Sequence, residues 1–408
     1  MPESAADTAQ VPSDGNERGS AVCPGCRGGA MRDILRIPDV PVLCTVLYDT
    51  PEQAKAAPRS TIELSFCPSC GLIYNTAFDE DLLTYTGSYE NSLHFSKVFE
   101  KYTREVANRL VSRHRLRGGT IVEIGCGQGA FLAILCELAE SQGFGYDPSF
   151  DPRKHSTTLP ANVTILPEMY GFGEQTVAAD LICSRYVFEH IPQPLGLLAT
   201  VRARMLERPN SVLYFEVPNA ERMLREVAAW DLIYEHCSYF TPASLRRVIE
   251  AAGFDVLDVR TGFDDQFVSV EAKVGKAGAN EPAVQLDPAV EADAVRFGKA
   301  YNRKVREWSQ RLEDLAADGR TAAIWGAGAR GVMFLNTLQA SPAMIPLAID
   351  VNPRKRGRYL AGTGQRIVAP EDLQDHPPDV VVVMNPVYRD EISEKMSELG
   401  ITADVVAA

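Results

Sequence analysis

Three groups of residues in this 408-residue chain have types and spacings that could do chemistry. Tyr234-Glu235-His236-Cys237-Ser238-Tyr239-Phe240 gathers an imidazole, a carboxylate and two phenols into one short stretch. His236 has the pKa range of a general base, Glu235 could orient or charge-stabilise it, and Tyr234 or Tyr239 could hydrogen-bond a developing oxyanion. The alternative is that Glu235 and His236 cap a helix or satisfy each other. Ile121-Val122-Glu123-Ile124-Gly125-Cys126-Gly127-Gln128-Gly129 reads as a buried strand ending in a glycine-rich turn that opens a helix. Gly125, Gly127 and Gly129 let the backbone approach a nucleotide-like ligand, while Glu123 and the first helical N–H groups offer polar partners to a bound amino acid. About 20 residues on, Asp147 ends a strand-like piece, where an acid can accept both ribose hydroxyls. A loop kept only for packing is the competing reading. Cys23-Pro24-Gly25-Cys26 and Cys67-Pro68-Ser69-Cys70 are two C-x-x-C knuckles that can supply a closed tetrahedral S₄ site for structural Zn²⁺, with a redox dithiol pair as the alternative.

These groups need elements to hold them. The chain is 45% hydrophobic and 23% charged, typical of a globular protein, and its length exceeds one ordinary core, so two or three domains are expected. A net charge of −13 argues against a nucleic-acid partner. The absence of any apolar run of about 18 residues, and of an apolar core in the polar start through Arg18, predicts no membrane contact and a cytoplasmic location. Residues 1–18 lack apolar periodicity and are expected to be disordered; a metal-binding domain is expected over 19–85. Phe95, Val98, Phe99, Tyr102, Val106 and Leu110 repeat at helical spacing within 89–116. Strand-like pieces at 121–124, 143–146, 163–166, 180–183 and 211–218 alternate with helical ones, which predicts a doubly wound, mostly parallel α/β sheet over 86–275. Pieces at 256–259 and 267–272 should close it as an antiparallel edge pair. A linker at 276–288 and a helix from Pro288 to about Leu315 lead into a Rossmann-like unit over 289–408. That unit carries Gly326-Ala327-Gly328-Ala329-Arg330-Gly331 after a strand and Asp350 about 20 residues later, a G-x-G-x-x-G match that serves either a cofactor or helix–strand packing.

The first glycine loop is spaced E-x-G-x-G-x-G rather than as a dinucleotide fingerprint, and resembles the cofactor loop of class I S-adenosylmethionine-dependent methyltransferases. With the two knuckles before it, and Ile324–Gly331 and Met384-Asn385-Pro386-Val387-Tyr388-Arg389-Asp390-Glu391-Ile392 after it, nearly the whole chain resembles the nucleotide-sugar C-methyltransferases of antibiotic deoxysugar pathways. The resemblance implies a zinc-bearing N-terminal domain, a class I core and a Rossmann-like C-terminal domain. It implies that Gly125, Gly127, Gly129 and Asp147 hold S-adenosylmethionine, and that Ser184-Arg185 and Phe188-Glu189-His190-Ile191 line the junction with a small-molecule acceptor. That acceptor would be a thymidine-diphospho 4-keto-6-deoxysugar, methylated at the carbon beside its ketone through an enolate, with the Glu235-His236 pair removing the proton. Two departures stand out: Ile233 falls on the family's tyrosine, with Tyr234 where the family has histidine, and Tyr85-Thr86-Gly87-Ser88-Tyr89-Glu90-Asn91-Ser92 differs from the family's aromatic and Ser-Ser segment. Either the acceptor differs or the tyrosine duty has moved to Tyr234, Tyr89 or Tyr85.

Arg330, Asn385, Tyr388 and Arg389 are the C-terminal candidates for polar ligand contacts, with solvated charge the alternative for both arginines. His94, His114, His155 and His376 belong to no constellation. The competing functions are a methyltransferase acting on oxygen or nitrogen of a sugar or other small metabolite, and a non-catalytic dinucleotide-binding protein. No protein partner and no heptad seam can be read.

Overall fold

The computed structural model describes residues 9–10, 22–83, 90, 95–151, 159–171, 176–275, 286–375 and 377–408. Tyr85, Tyr89, His94, His155, His376 and residues 276–285 of the expected linker lie outside them. Of the stretch expected to be disordered, Ala9 and Gln10 are described, and Gln10 exchanges two 2.9 Å backbone hydrogen bonds with Arg36.

The chain between the cysteine knuckles is a long antiparallel ladder of β1 (Arg32–Pro41) and β2 (Arg59–Phe66), joined through a short helix α1 (Pro51–Lys55). β3 (Ile73–Asn75) pairs with β2, and the sheet's fourth strand is Ser238–Tyr239, from the candidate catalytic stretch.

α2 (Lys97–His114) begins at Ser96, whose hydroxyl caps Phe99 N, several residues later than the apolar spacing suggests. Phe99, Val106 and Leu110 are buried, but Phe95 and Val98 are exposed, so the stripe is narrower than its spacing implied. The next elements are β4 (Thr120–Ile124), α3 (Ala130–Ala139), β5 (Gln142–Tyr146), β6 (Val163–Leu166), β7 (Leu181–Arg185), α4 (Pro194–Met205) and β8 (Val212–Pro218). Then come α5 (Ala220–Glu226), β9 (Ser238–Tyr239), α6 (Pro242–Ala251), β10 (Phe254–Gly262) and β11 (Phe267–Val274). The seven-stranded order is β10-β11-β8-β7-β4-β5-β6, parallel from β8 to β6. β11 runs antiparallel and inserts between β8 and β10, so only β10 is an edge. The burial of β11 explains this: Val268 through Ala272 are buried on both faces, whereas β10 alternates and leaves Leu257 exposed.

The last unit opens with α7 (Pro288–Ala317), followed by β12 (Ala322–Trp325), α8 (Ala329–Thr337), β13 (Leu347–Ile349), β14 (Arg366–Val368), β15 (Val380–Val383), α9 (Arg389–Glu398) and β16 (Asp404–Ala407). Its five strands are all parallel, in the order β14-β13-β12-β15-β16. α7 buries Val290, Ala294, Phe297, Tyr301, Val305, Trp308 and Leu312, the three-to-four spacing of one helical face. That face belongs to a continuous core shared with Ile37 and Leu64 of the first sheet, Trp230 and Tyr234 of the candidate catalytic region, and Ile324 and Val382 of the last sheet. The first and last units are therefore packed as one body around the stretch that carries His236. No helix among the described residues is long and apolar enough to cross a membrane.

Candidate active site

β4 delivers the glycine loop rigidly because Ile121 and Val122 are fully buried in the middle of the sheet. Gly125, Gly127 and Gly129 have φ values of +68°, +51° and +74°, a region that side chains rarely occupy. A Cβ on Gly125 would stand 2.2 Å from Val187 Cγ2, and one on Gly129 2.8 Å from Ile165 Cδ1, whereas at Gly127 nothing lies within 4 Å. Two glycines thus permit packing, and Gly127 leaves open backbone where a ligand can approach. Asp147 accepts from Gly127 N at 2.7 Å and from Ser149 N and Oγ at 2.8 and 2.6 Å, which holds its carboxylate at the loop's rim. Glu123 is buried with Oε2 unpartnered among the described residues, and burial raises its pKa to about 8. An orphaned carboxylate oxygen under an open glycine loop, with a second acid at the rim, fits a nucleoside that carries an amino-acid ammonium.

Ser184 and Arg185 are engaged inside the fold, although the Arg185 charge acts on Glu123 against the effect of burial. Ser184 Oγ donates to Ile124 O across the strands. Arg185 is buried against the Phe131 ring and donates to Glu216 at 2.8 Å. Tyr102, Tyr186 and Tyr214 also donate to Glu216; burial alone would raise its pKa, but Arg185 and the three phenols hold it below the usual carboxylate range. Arg185, the last residue of β7, is engaged in this internal cluster.

The candidate catalytic stretch lies between α5 and α6, pinned by the pairing of β9 with β3. His236 lines a cavity together with Asn219, Asp231, Ser238, Tyr239 and Gln266. Burial, with His190 beside it, pushes the His236 pKa well below the ordinary imidazole range, so the ring is neutral. The other three candidates point elsewhere. Glu235 accepts from Cys44 N at 2.9 Å, in the N-terminal unit. Tyr234 is fully buried, accepts from Asp79 N at 2.9 Å and donates to Ala77 O. Tyr239 lines the cavity with its ring, but its hydroxyl donates to Ile233 O at 2.9 Å and accepts from Ile233 N. The acid that faces His236 is Glu189, whose Oε1 lies 3.9 Å from His236 Nε2. Glu189 and His190 follow Val187, the residue that closes over Gly125, so one short segment connects the glycine loop to the base.

Residues 94–259 match the methyltransferase domain family, and residues 263–403 match the C-methyltransferase C-terminal domain family. The two matches, side by side over most of the chain, support the C-methyltransferase family. The chain is an S-adenosylmethionine-dependent methyltransferase. C-methyltransferase NovU of Streptomyces niveus is 26% identical over 401 residues, covering 92% of each chain. Among solved structures, this chain is similar to 1,6-didemethyltoxoflavin-N1-methyltransferase of Burkholderia thailandensis, at 15% identity and a TM-score of 0.35 over 44% of this chain and 82% of that one. It is also similar to magnesium protoporphyrin IX methyltransferase of Synechocystis PCC 6803, at 12% identity and a TM-score of 0.34 over 43% and 83%.

In this C-methyltransferase the four knuckle sulfurs converge. Cys23 and Cys70 Sγ are 3.6 Å apart, Cys26 and Cys67 Sγ 3.7 Å, and all four lie within 4.8 Å of one another. A tetrahedral ion with bonds of about 2.3 Å would separate its sulfurs by roughly 3.8 Å, so the set fits a four-thiolate metal. Each knuckle closes the same way, with Arg27 N bonded to Cys23 O and Gly71 N to Cys67 O, both at 2.8 Å and both at positive φ. The C-terminal glycine loop is self-satisfied. A Cβ on Gly331 would stand 2.3 Å from Gly326 O, and the Asp350 carboxylate accepts from Ala327 N and from Lys355 Nζ at 2.9 Å. Arg330 is engaged by Asp231, Asn385 exchanges two 2.9 Å hydrogen bonds with Gln266, and Arg389 reaches Val405 O. Tyr388 stacks obliquely near Phe263.

Sequence reasoning missed the Cys44 anchor and the pairing of Glu189 with His236. The motif Phe188-Glu189-His190 marked the segment, but nothing local signals which ring it meets.

Proposed function

We propose that this enzyme methylates the carbon beside the ketone of a thymidine-diphospho 4-keto-6-deoxysugar through an enolate, in the cytoplasm, as a step of natural-product assembly. The observation that carries this reading is a neutral imidazole, His236, set on a cavity wall and linked to the cofactor loop through Val187–His190. Carbon methylation needs a base that is unprotonated near neutral pH, as an imidazole already is at its ordinary pKa. The C-methyltransferase relative that spans nearly the whole chain supports carbon as the accepting atom.

Glu123 and Asp147 would hold the ammonium and ribose ends of S-adenosylmethionine, with Gly127 giving the backbone room between them. When bound, that group supplies an electrophilic methyl on a sulfonium. His236 would take the proton from the acceptor carbon, leaving an enolate on the acceptor, with Glu189 Oε1 3.9 Å from Nε2. Holding acceptor and donor against each other would make the attack effectively unimolecular. The four cysteines would hold a structural Zn²⁺ with no open position; its role is to fix the sheet that ends in Ser238–Tyr239.

One observation favours a second reading, methylation of a hydroxyl or amine: of the candidate phenols, the two among the described residues, Tyr234 and Tyr239, are spent on backbone groups. The test is incubation with a 4-keto-6-deoxysugar nucleotide in deuterated buffer, with and without S-adenosylmethionine, reading methyl gain, its position and α-proton loss by mass spectrometry. Carbon methylation with exchange, both lost in His236→Asn, is the expected result. A methyl found on oxygen or nitrogen establishes the second reading instead.

A further inference from the structure

Besides the four thiols, the described residues contain a second set of convergent metal-ligating atoms. One atom each from Glu189, His190 and His236 lies within 4.8 Å of the other two. Glu189 contributes a carboxylate whose side chain is 2% exposed and whose two oxygens have no hydrogen-bond partner among the described residues. An unpartnered carboxyl group that deep in the protein, costly by roughly 1–3 kcal/mol or more, is compensated either by a proton or by a cation. His190 points Nδ1 at Glu235 O, 2.9 Å away, which spends its N–H on a carbonyl and leaves Nε2 as a lone-pair donor. A backbone carbonyl behind an imidazole is the usual way a metal-binding histidine is fixed in tautomer and orientation. The two imidazoles meet edge to face at 4.8 Å with an 83° interplanar angle, and neither is bridged to the other.

We propose that Glu189, His190 and His236 form a binding site for one divalent transition-metal cation, separate from the four-cysteine cluster. Two neutral nitrogens and one carboxylate oxygen suit the borderline cations, Co²⁺, Ni²⁺ and Zn²⁺, better than Mg²⁺ or Ca²⁺. Bonds of about 2.0–2.2 Å would place neighbouring ligand atoms roughly 3–3.5 Å apart. The 3.9 Å between His236 Nε2 and Glu189 Oε1 therefore closes with a sub-ångström adjustment. Of the three residues, His236 lies on the cavity wall. A cation bound there takes a lone pair from His236 and slows acceptor α-proton exchange; this consequence rests on the reading of His236 as the base, whereas the binding does not.

The test is titration of the full-length protein, its cysteine cluster already filled with zinc, with Co²⁺ alone. Visible d–d bands of a nitrogen–oxygen site are read separately from the sulfur charge-transfer bands of cobalt in the thiol cluster. One Co²⁺ per chain beyond the zinc is expected, with binding weakened at least about tenfold in Glu189→Gln and in His190→Gln, while circular dichroism shows both variants folded. Two variants are used so that perturbation of the turn by one of them does not decide the outcome. No nitrogen–oxygen cobalt signal up to about 1 mM, or binding unchanged in both variants, overturns the site. Cobalt that binds as expected yet speeds exchange keeps the site and removes His236 from the role of base, so the two readings fail separately.

Discussion

The carboxylate of Glu235 accepts a 2.9 Å hydrogen bond from the backbone N–H of Cys44, 191 residues earlier in the chain. Both groups are buried, so the bond ties the stretch carrying His236 to the N-terminal unit rather than to its own domain. Glu235→Ala would leave the Cys44 N–H unsatisfied and should cost about 1–3 kcal/mol of stability together with methyl transfer. Glu235→Gln keeps an acceptor and should cost less. Thermal melts and turnover of both variants check the order; equal losses would mean that charge, not the anchoring bond, matters.

His236→Asn should lower acceptor α-proton exchange by about 10²–10⁴-fold while the melt is nearly unchanged. Tyr239→Phe leaves the Ile233 N–H unsatisfied and should cost about 1–3 kcal/mol of stability, with a much smaller effect on exchange. An exchange defect in Tyr239→Phe as deep as that of His236→Asn would show that the phenol leaves Ile233 to serve the reaction.

Stability should vary with pH through groups next to the base. Burial raises the Glu189 pKa from 4.5 to about 8, so across that window the native chain holds a proton that the unfolded chain has lost. Its contribution is complete below pH 4.5 and is lost as pH rises to about 8. Burial lowers His190 from 6.5 to about 4, so its contribution is present above pH 6.5 and is lost as pH falls toward 4. Glu123 behaves like Glu189, rising to about 8 by burial. Denaturant unfolding of Glu189→Gln should therefore show a shallower decline between pH 6.5 and 8 than the parent, with Glu123 supplying what remains. An unchanged slope would mean that Glu189 is ionised in the native state.

Gly127 and Gly125 should separate ligand binding from folding. Gly127→Ala meets no neighbour within 4 Å, so beyond about 1–2 kcal/mol for the positive-φ backbone its effect should fall on S-adenosylmethionine affinity. Gly125→Ala collides with Val187 and should lower both the melting temperature and affinity. Calorimetric binding beside thermal melts distinguishes them; equal destabilisation would show that the space over Gly127 is not open.

Cys67→Ser should release the bound metal and loosen β3, and with it the Ser238–Tyr239 strand that β3 holds. Elemental analysis should show loss of one zinc per chain, and methyl transfer should fall although no thiol of the cluster lines the cavity. Full activity without metal would show that the sheet stands on its own packing.

Local pattern made much of this enzyme legible. The knuckles Cys23-x-x-Cys26 and Cys67-x-x-Cys70 announced their own cluster because two thiols two residues apart can share one ion whatever surrounds them. The strand and positive-φ glycine turn at Ile121–Gly129 were legible because backbone conformation there is set by neighbours in sequence. The alternation of strands and helices implied the doubly wound sheet, since hydrophobic periodicity is a local property. Hydrogen-bond partners between distant segments have no such trace, and tertiary structure alone decided them. It turned Glu235 toward Cys44, spent Tyr234 on Ala77 and Asp79, and buried Arg185 on Glu216. It also placed β11 inside the sheet and set Glu189 beside His236. The physical reason is that a buried polar group must find a partner wherever the packed chain offers one, so its role is chosen by the fold and not by the residues beside it.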